Sequence, residues 1–191
     1  MHLHDILRSQ LAIAQKQFGE LTIIETGTIR SADPIYADDD GWSTLCFASW
    51  IAEHGGFLDS IDLETAEAAK VLADRKLDGA VMLIKGHSLD VLRRYLDEAK
   101  ADPSDRGLDV HVAYLDSDND PALILEEFKL VVPRMPAGAI VMVDDVDMRP
   151  DADAKKGHLI VPWLEKEKWD YTIVGRQGKG YSTGVLITRI P

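Results

Sequence analysis

Val110-His111-Val112-Ala113-Tyr114-Leu115-Asp116-Ser117-Asp118-Asn119-Asp120 decides how this chain is read. An apolar run of strand length breaks abruptly into aspartates at alternate positions. Aspartate is a poor strand residue and a buried carboxylate is costly to desolvate, so a strand that ends this way ends at something. A second run repeats the pattern, with Ala139-Ile140-Val141-Met142-Val143 leading into Asp144-Asp145. Two strands that deliver aspartates from their carboxyl ends suggest one shared site for a hard cation.

Outward from that stretch, helix-like and strand-like segments alternate. Leu3, Ile6, Leu7, Leu11, Ile13, Ala14 and Phe18 follow a helical period that Gly19 stops. Leu21-Thr22-Ile23-Ile24-Glu25 reads as a buried strand, followed by Thr26-Gly27-Thr28 and an inserted loop over 29–41 that carries Asp38-Asp39-Asp40. Ser43 or Thr44 is the expected cap of a helix closed by Gly55-Gly56. Strands are expected at 57–62, 79–84 and 138–143, and helices at 64–76, from Ser88, from Asp120-Pro121, and at 159–168. Segment 146–157 reads as a polar loop. Segments 171–174 and 181–190 read as a hairpin across the glycine-rich turn Gly175-Arg176-Gln177-Gly178-Lys179-Gly180. Trp163 fits either core packing or the rim of a substrate mouth.

This alternation predicts an α/β fold. A doubly wound, mostly parallel sheet carries helices on both faces, and the C-terminal hairpin adds an antiparallel edge. Ligands of such sheets bind beyond the carboxyl ends of the strands, where Glu25, Asp62, Ser88, Asp116, Asp144 and Asp145 all fall.

The length of 191 residues suits a single domain over 1–191, with 1–20 as an N-terminal helix. A net charge of −12 argues against a nucleic-acid backbone as partner, because binding phosphates needs a basic face. The single cysteine, Cys46, cannot close an intramolecular disulfide and fits a reducing compartment. The N-terminus lacks a signal-peptide layout, and no apolar run approaches the roughly 20 residues of a spanning helix. A cytoplasmic protein that does not enter membranes is therefore expected.

Taken together, Glu25-Thr26-Gly27-Thr28, Gly41-Trp42-Ser43-Thr44, Ser60-Ile61-Asp62, Gly86-His87-Ser88, Leu115-Asp116-Ser117-Asp118 and Val143-Asp144-Asp145 resemble the class I S-adenosylmethionine-dependent methyltransferases. The nearest likeness is to their small metal-dependent O-methyltransferases, of the catechol type and of the macrolide and aminocoumarin sugar type. The resemblance spans residues 21–190 and implies a seven-stranded Rossmann-like sheet. It implies that Glu25, Gly27 and Thr28 hold the methionine part of the cofactor, Asp62 the ribose hydroxyls, and His87 and Ser88 the adenine border. Asp116, Asp144 and Asp145 match the ligands of Mg²⁺ or another divalent cation, with Asp116 also near the cofactor. Asp118 matches the general base of the sugar-methylating branch. The catechol branch has a lysine three residues past the first ligand, where this chain has Asn119, which speaks against a catechol-type mechanism.

The implied activity is methyl transfer to a small hydroxylated substrate, in a chain for which the resemblance makes a homodimer an option. The chemistry suits the residues. A metal lowers the pKa of a chelated hydroxyl, and Asp118 can take the proton. Two alternatives stay open at this point. One is an oxygenase-associated protein like the cephalosporin hydroxylases, and the other is a cofactor-binding domain without catalysis. Asp116 and Asp118 also read as plain turn residues, Asp62 as a helix cap, and Gly27 as a tight turn.

Overall fold

The computed structural model describes residues 1–33, 42–101, 109–149, 155–175 and 183–191, with backbone only over 96–101. The acid run Asp38-Asp39-Asp40, Gly41 and most of the glycine-rich turn lie outside the described residues. In chain order the elements are α1 (Leu3–Phe18), β1 (Leu21–Thr26), α2 (Ser43–His54), β2 (Gly56–Asp62), α3 (Ala66–Asp74), β3 (Met82–Lys85) and α4 (Ser88–Ala101). They continue with β4 (Val112–Leu115), α5 (Pro121–Val131), β5 (Ile140–Val146), α6 (Gly157–Glu167), β6 (Tyr171–Gly175) and β7 (Gly184–Arg189). The seven strands form one sheet in the order β3-β2-β1-β4-β5-β7-β6. β1 to β5 run parallel and β7 is antiparallel to both its neighbours.

Both faces of the sheet are dry, and the strand pleat sorts the residues between them. Ile23, Val112, Tyr114, Ile140, Met142 and Val185 pack on one side with Leu7, Leu11, Phe47 and Ile51 of α1 and α2. Their strand neighbours Ile24, Ala113, Leu115, Val141, Val143 and Leu186 pack on the other with Leu92, Ile124, Phe128 and Ile160 of α4, α5 and α6. Alternate residues serving opposite cores explain why these strands read as near-continuous apolar runs. Strand order reverses between β1 and β4, which are hydrogen-bonded neighbours, so the expected ligand crevice opens at their carboxyl ends. Among the described residues no helix is long and apolar enough to cross a membrane.

Several local expectations change. α2 starts at Ser43, with Trp42 as its N-cap in a left-handed conformation (φ 40°). The hydroxyls expected to cap it are engaged elsewhere: Ser43 donates to Glu25 Oε1 at 2.5 Å, and Thr44 pairs with the Thr28 hydroxyl at 3.0 Å. α3 begins at Ala66, two residues later than expected. The strand expected at 79–84 starts only at Met82, because Asp78–Ala80 form a 3₁₀ turn. The cap expected at Asp120 is present, its Oδ1 accepting from the Ala122 N–H at 2.9 Å. Trp163 packs edge-on against Phe128 and Trp169, with ring centroids 5.2 and 5.5 Å away, which assigns it to the core.

Candidate active site

β4 ends at Leu115 and hands Asp116 to the crevice. β5 does not end where expected: it runs to Val146, through the aspartate pair. In a regular strand, neighbours point to opposite faces. Here Val143 faces Leu186 and Val146 faces Gly184, so three steps along β5 match two along β7. Asp145 takes up the extra residue in a left-handed conformation, φ 51°. This bulge re-aims the chain so that consecutive residues serve one site. One carboxylate oxygen from each of Asp116, Asp144 and Asp145 lies within 4.8 Å of the other two.

Two residues not singled out from the sequence complete the cluster. Tyr114, on β4 and fully buried, donates its hydroxyl to Asp144 Oδ2 at 2.6 Å. Lys156, only 1% exposed, sets its ammonium against the Asp116 carboxylate and 3.8 Å from Asp145 Oδ2. Burial alone would lower the pKa of this lysine. The Asp116 and Asp145 charges override it and hold the group above the usual lysine value, so it is an ammonium. Segment 146–157, read as a loop, carries Lys156 back to the acids by two devices. Lys155 forms an isolated bridge with Val146. A Cβ on Gly157 would come 2.5 Å from the Val146 side chain and 2.8 Å from Met148 sulfur, so only glycine lets α6 start this close to β5.

A cavity of about 310 Å³ opens on this cluster, and Thr28, Arg30, Ser43 and Asp118 also line it. Asp118 is exposed at the cavity wall, and its Oδ1 accepts from the Asp120 N–H at 3.0 Å, a turn contact. Arg30 donates to the Asp116 carbonyl oxygen at 3.2 Å.

Two buried glutamates brace the crevice from below. Glu25 is fully buried and accepts from Ser43 and from Ser60, the latter at 2.6 Å. Burial pushes its pKa up to about 7, with the two serine hydroxyls holding it back. Glu127, on α5, accepts from Thr26 at 2.8 Å and from Ser117 and Ser88, tying together the ends of β1 and β4 and the start of α4. Burial raises its pKa as well. It was missed in the sequence although Ile124, Glu127, Phe128 and Val131 share one helical face. An acid on an apolar stripe is a readable sign of a buried polar role.

The other expected residues surround this centre. Asp62 accepts from the Thr28 N–H at 2.9 Å and the Glu64 N–H at 3.1 Å, so it both fixes the loop after β1 and starts the next segment. Gly27 has φ 85°, and a Cβ there would meet the Asp116 carbonyl oxygen at 2.4 Å. Its first need is therefore the crossing of the β1 and β4 ends. Ser88 is buried against Glu127, while His87 is exposed and accepts the first helical N–H groups of α4 through its carbonyl. The structure thus joins Thr28, Asp116, Asp118, Asp144 and Asp145 around one cavity. It places Glu25 beneath them and Asp62, His87 and Ser88 to the side.

A family model described as a methyltransferase domain matches residues 39–146. No curated protein matches the chain. Among solved structures, the chain is similar to the O-methyltransferase from Bacillus cereus in complex with SAH, at 18% identity and a TM-score of 0.66, covering 94% of this chain and 78% of that one. It is also similar to an rRNA methylase from Streptococcus thermophilus, at 11% identity, a TM-score of 0.56 and 96% coverage of both chains. An N-methyltransferase from Bradyrhizobium japonicum aligns at 14% identity and a TM-score of 0.55, covering 98% of this chain and 97% of that one. Their names give three kinds of methyl acceptor on one fold, so the acceptor has to be argued from the site.

Proposed function

The chain belongs to the methyltransferase-domain family, and we propose that it transfers a methyl group from S-adenosylmethionine to a hydroxyl oxygen of a small acceptor held over Asp116, Asp118, Asp144 and Lys156. The observation that carries this is the acid cluster with its buried lysine, opening into a polar cavity beside the β1/β4 switch point.

The residues at the switch point fit the cofactor. Thr28 and Ser43 line the cavity, and Asp62 sits at the end of β2, where an acid accepts from ribose hydroxyls. We assign Glu25, Gly27 and Thr28 to the side of the methionine moiety, Glu25 acting from beneath through Ser43. His87 and Ser88 border the adenine. S-adenosylmethionine supplies an electrophilic methyl group on a sulfonium sulfur.

Attack by oxygen forms the new C–O bond as the C–S bond breaks and its electron pair stays on sulfur. The acceptor's hydroxyl proton must leave in the same step. Asp118, exposed at the cavity wall, takes it through Oδ2. Tyr114 fixes Asp144, and Lys156 fixes Asp116, so the cluster presents preset oxygens to the acceptor's hydroxyl groups.

The divalent cation expected from the sequence meets an obstacle here. Three carboxylates are the right donors for Mg²⁺. Yet the ammonium of Lys156 already stands among them. With the lysine in place the residues present do not fit a resident divalent cation, and no step above runs through one.

The test is product mass. Incubation with S-adenosylmethionine and a panel of small polyhydroxylated compounds should give a product heavier by one CH₂, together with S-adenosylhomocysteine. A product heavier by one oxygen atom would instead support the oxygenase alternative. Asp118→Asn should lower kcat by about 100-fold or more with cofactor affinity largely kept.

A further inference from the structure

We propose that Lys156 is the resident cation of the acid cluster. Its tethered ammonium takes the place of a divalent ion among Asp116, Asp144 and Asp145, and its removal turns the cluster into a divalent-cation site.

A buried lysine is among the rarest of core residues, and one that is 1% exposed has to be held where it is by its surroundings. Three separate features do so. The bridge between Val146 and Lys155 returns the chain alongside the bulge of β5. The close contact at Gly157 fixes the start of α6 against Val146 and Met148. The side chain then spans to Asp116, forty positions upstream in sequence, and to within 3.8 Å of Asp145. The position is set by backbone on both sides of the lysine, so the ammonium is part of the built site and not a surface side chain folded inward.

Charge gives the consequence. Three carboxylates with one lysine leave a formal charge of −2 in a mostly buried cluster. Deleting the ammonium leaves −3 with oxygens within 4.8 Å of one another, the donor set and spacing that a hard divalent ion can bridge. Arg30 is exposed and donates to the Asp116 carbonyl oxygen, whereas the Lys156 ammonium is buried against the carboxylates. In the proposed methyl transfer, this lysine supplies the positive charge that a bound ion would otherwise supply, and turnover is insensitive to chelators. Only that last consequence rests on the proposed reaction.

The experiment titrates MnCl₂ into EDTA-treated full-length protein. Free Mn²⁺ is read by electron paramagnetic resonance and stability by thermal melting, so that neither readout depends on activity. The wild type should show no saturable binding up to the low-millimolar range, and Lys156→Arg should behave like it. Lys156→Met should bind one Mn²⁺ at least about tenfold more tightly than the wild type and gain thermal stability from it. A Lys156→Met protein that folds only with Mn²⁺ present would support the proposal equally. Saturable micromolar binding by the wild type would overturn it, whatever the variants do, and so would a folded Lys156→Met with affinity no greater than wild type. If that variant stays unfolded with and without Mn²⁺, the wild-type titration alone decides. Failure here with intact methyl transfer would point to a metal enzyme, whereas loss of both would sink the proposed function itself.

Discussion

The Tyr114 hydroxyl on β4 donates to Asp144 Oδ2 on the neighbouring strand β5 at 2.6 Å, and both side chains are buried. This bond locks a charged group of the cluster to the floor of the sheet. Tyr114 is itself held edge-on by Phe47, 5.5 Å between ring centroids, so the hydroxyl has little freedom. Tyr114→Phe keeps that packing and removes only the donor. It should destabilise the protein by about 1–3 kcal/mol in urea titration, the usual cost of losing a hydrogen bond to a buried charge. It should also lower kcat, with a smaller effect on cofactor affinity. Unchanged stability together with unchanged kcat would show that Asp144 does not need the tyrosine.

Glu25 makes stability depend on pH. Its pKa is raised from 4.5 to about 7 in the folded chain, so between those values the folded state holds a proton that the unfolded state has lost. The contribution is present below pH 4.5 and is lost as pH rises through about 7, on the order of 3 kcal/mol as an upper figure. Glu25→Gln cannot ionise. The stability difference between wild type and variant, followed by urea denaturation from pH 4.5 to 8, should shift against the wild type as pH rises. A difference that stays flat would mean that Glu25 keeps an ordinary carboxylate pKa.

Gly27 and Gly19 separate strain from collision. Both have positive φ, 85° and 80°, but a Cβ at Gly19 meets nothing within 4 Å, while at Gly27 it meets the Asp116 backbone at 2.4 Å. Gly19→Ala should cost about 1–3 kcal/mol from backbone strain alone. Gly27→Ala should cost more and should also weaken S-adenosylmethionine binding, because the crossing it props apart shapes the cavity. Equal melting temperatures for the two variants would contradict that account of the crossing.

The fold could be read from the chain because its strands serve two cores. Runs such as Ala139 to Val143 are apolar at every position, and the intervening helices show their own period, with stops at Gly19 and Gly55 and a start at Asp120-Pro121. The three aspartates were legible for the opposite reason, since acids directly after such runs demand an explanation. What stayed hidden depends on pairing across the chain. The bulge at Asp145 exists only relative to β7, so the strand seemed to stop at Val143. Lys156 lay in a polar stretch, where a lysine is ordinarily solvated. The clue was Gly157 behind it, whose purpose shows only once Val146 and Met148 lie against it. Ser43 and Thr44 were expected to cap α2, but Trp42 holds the cap position and their hydroxyls answer Glu25 and Thr28 instead.

The most direct measurement is calorimetric titration of S-adenosylmethionine into the purified protein, alongside Asp62→Ala. The wild type should bind one equivalent, and the variant about tenfold or more weakly, because it loses both the carboxylate that orders Thr28 and the acceptor proposed for the ribose. An absence of binding heat and of any thermal shift in the wild type would contradict the assignment of this crevice to methyl transfer.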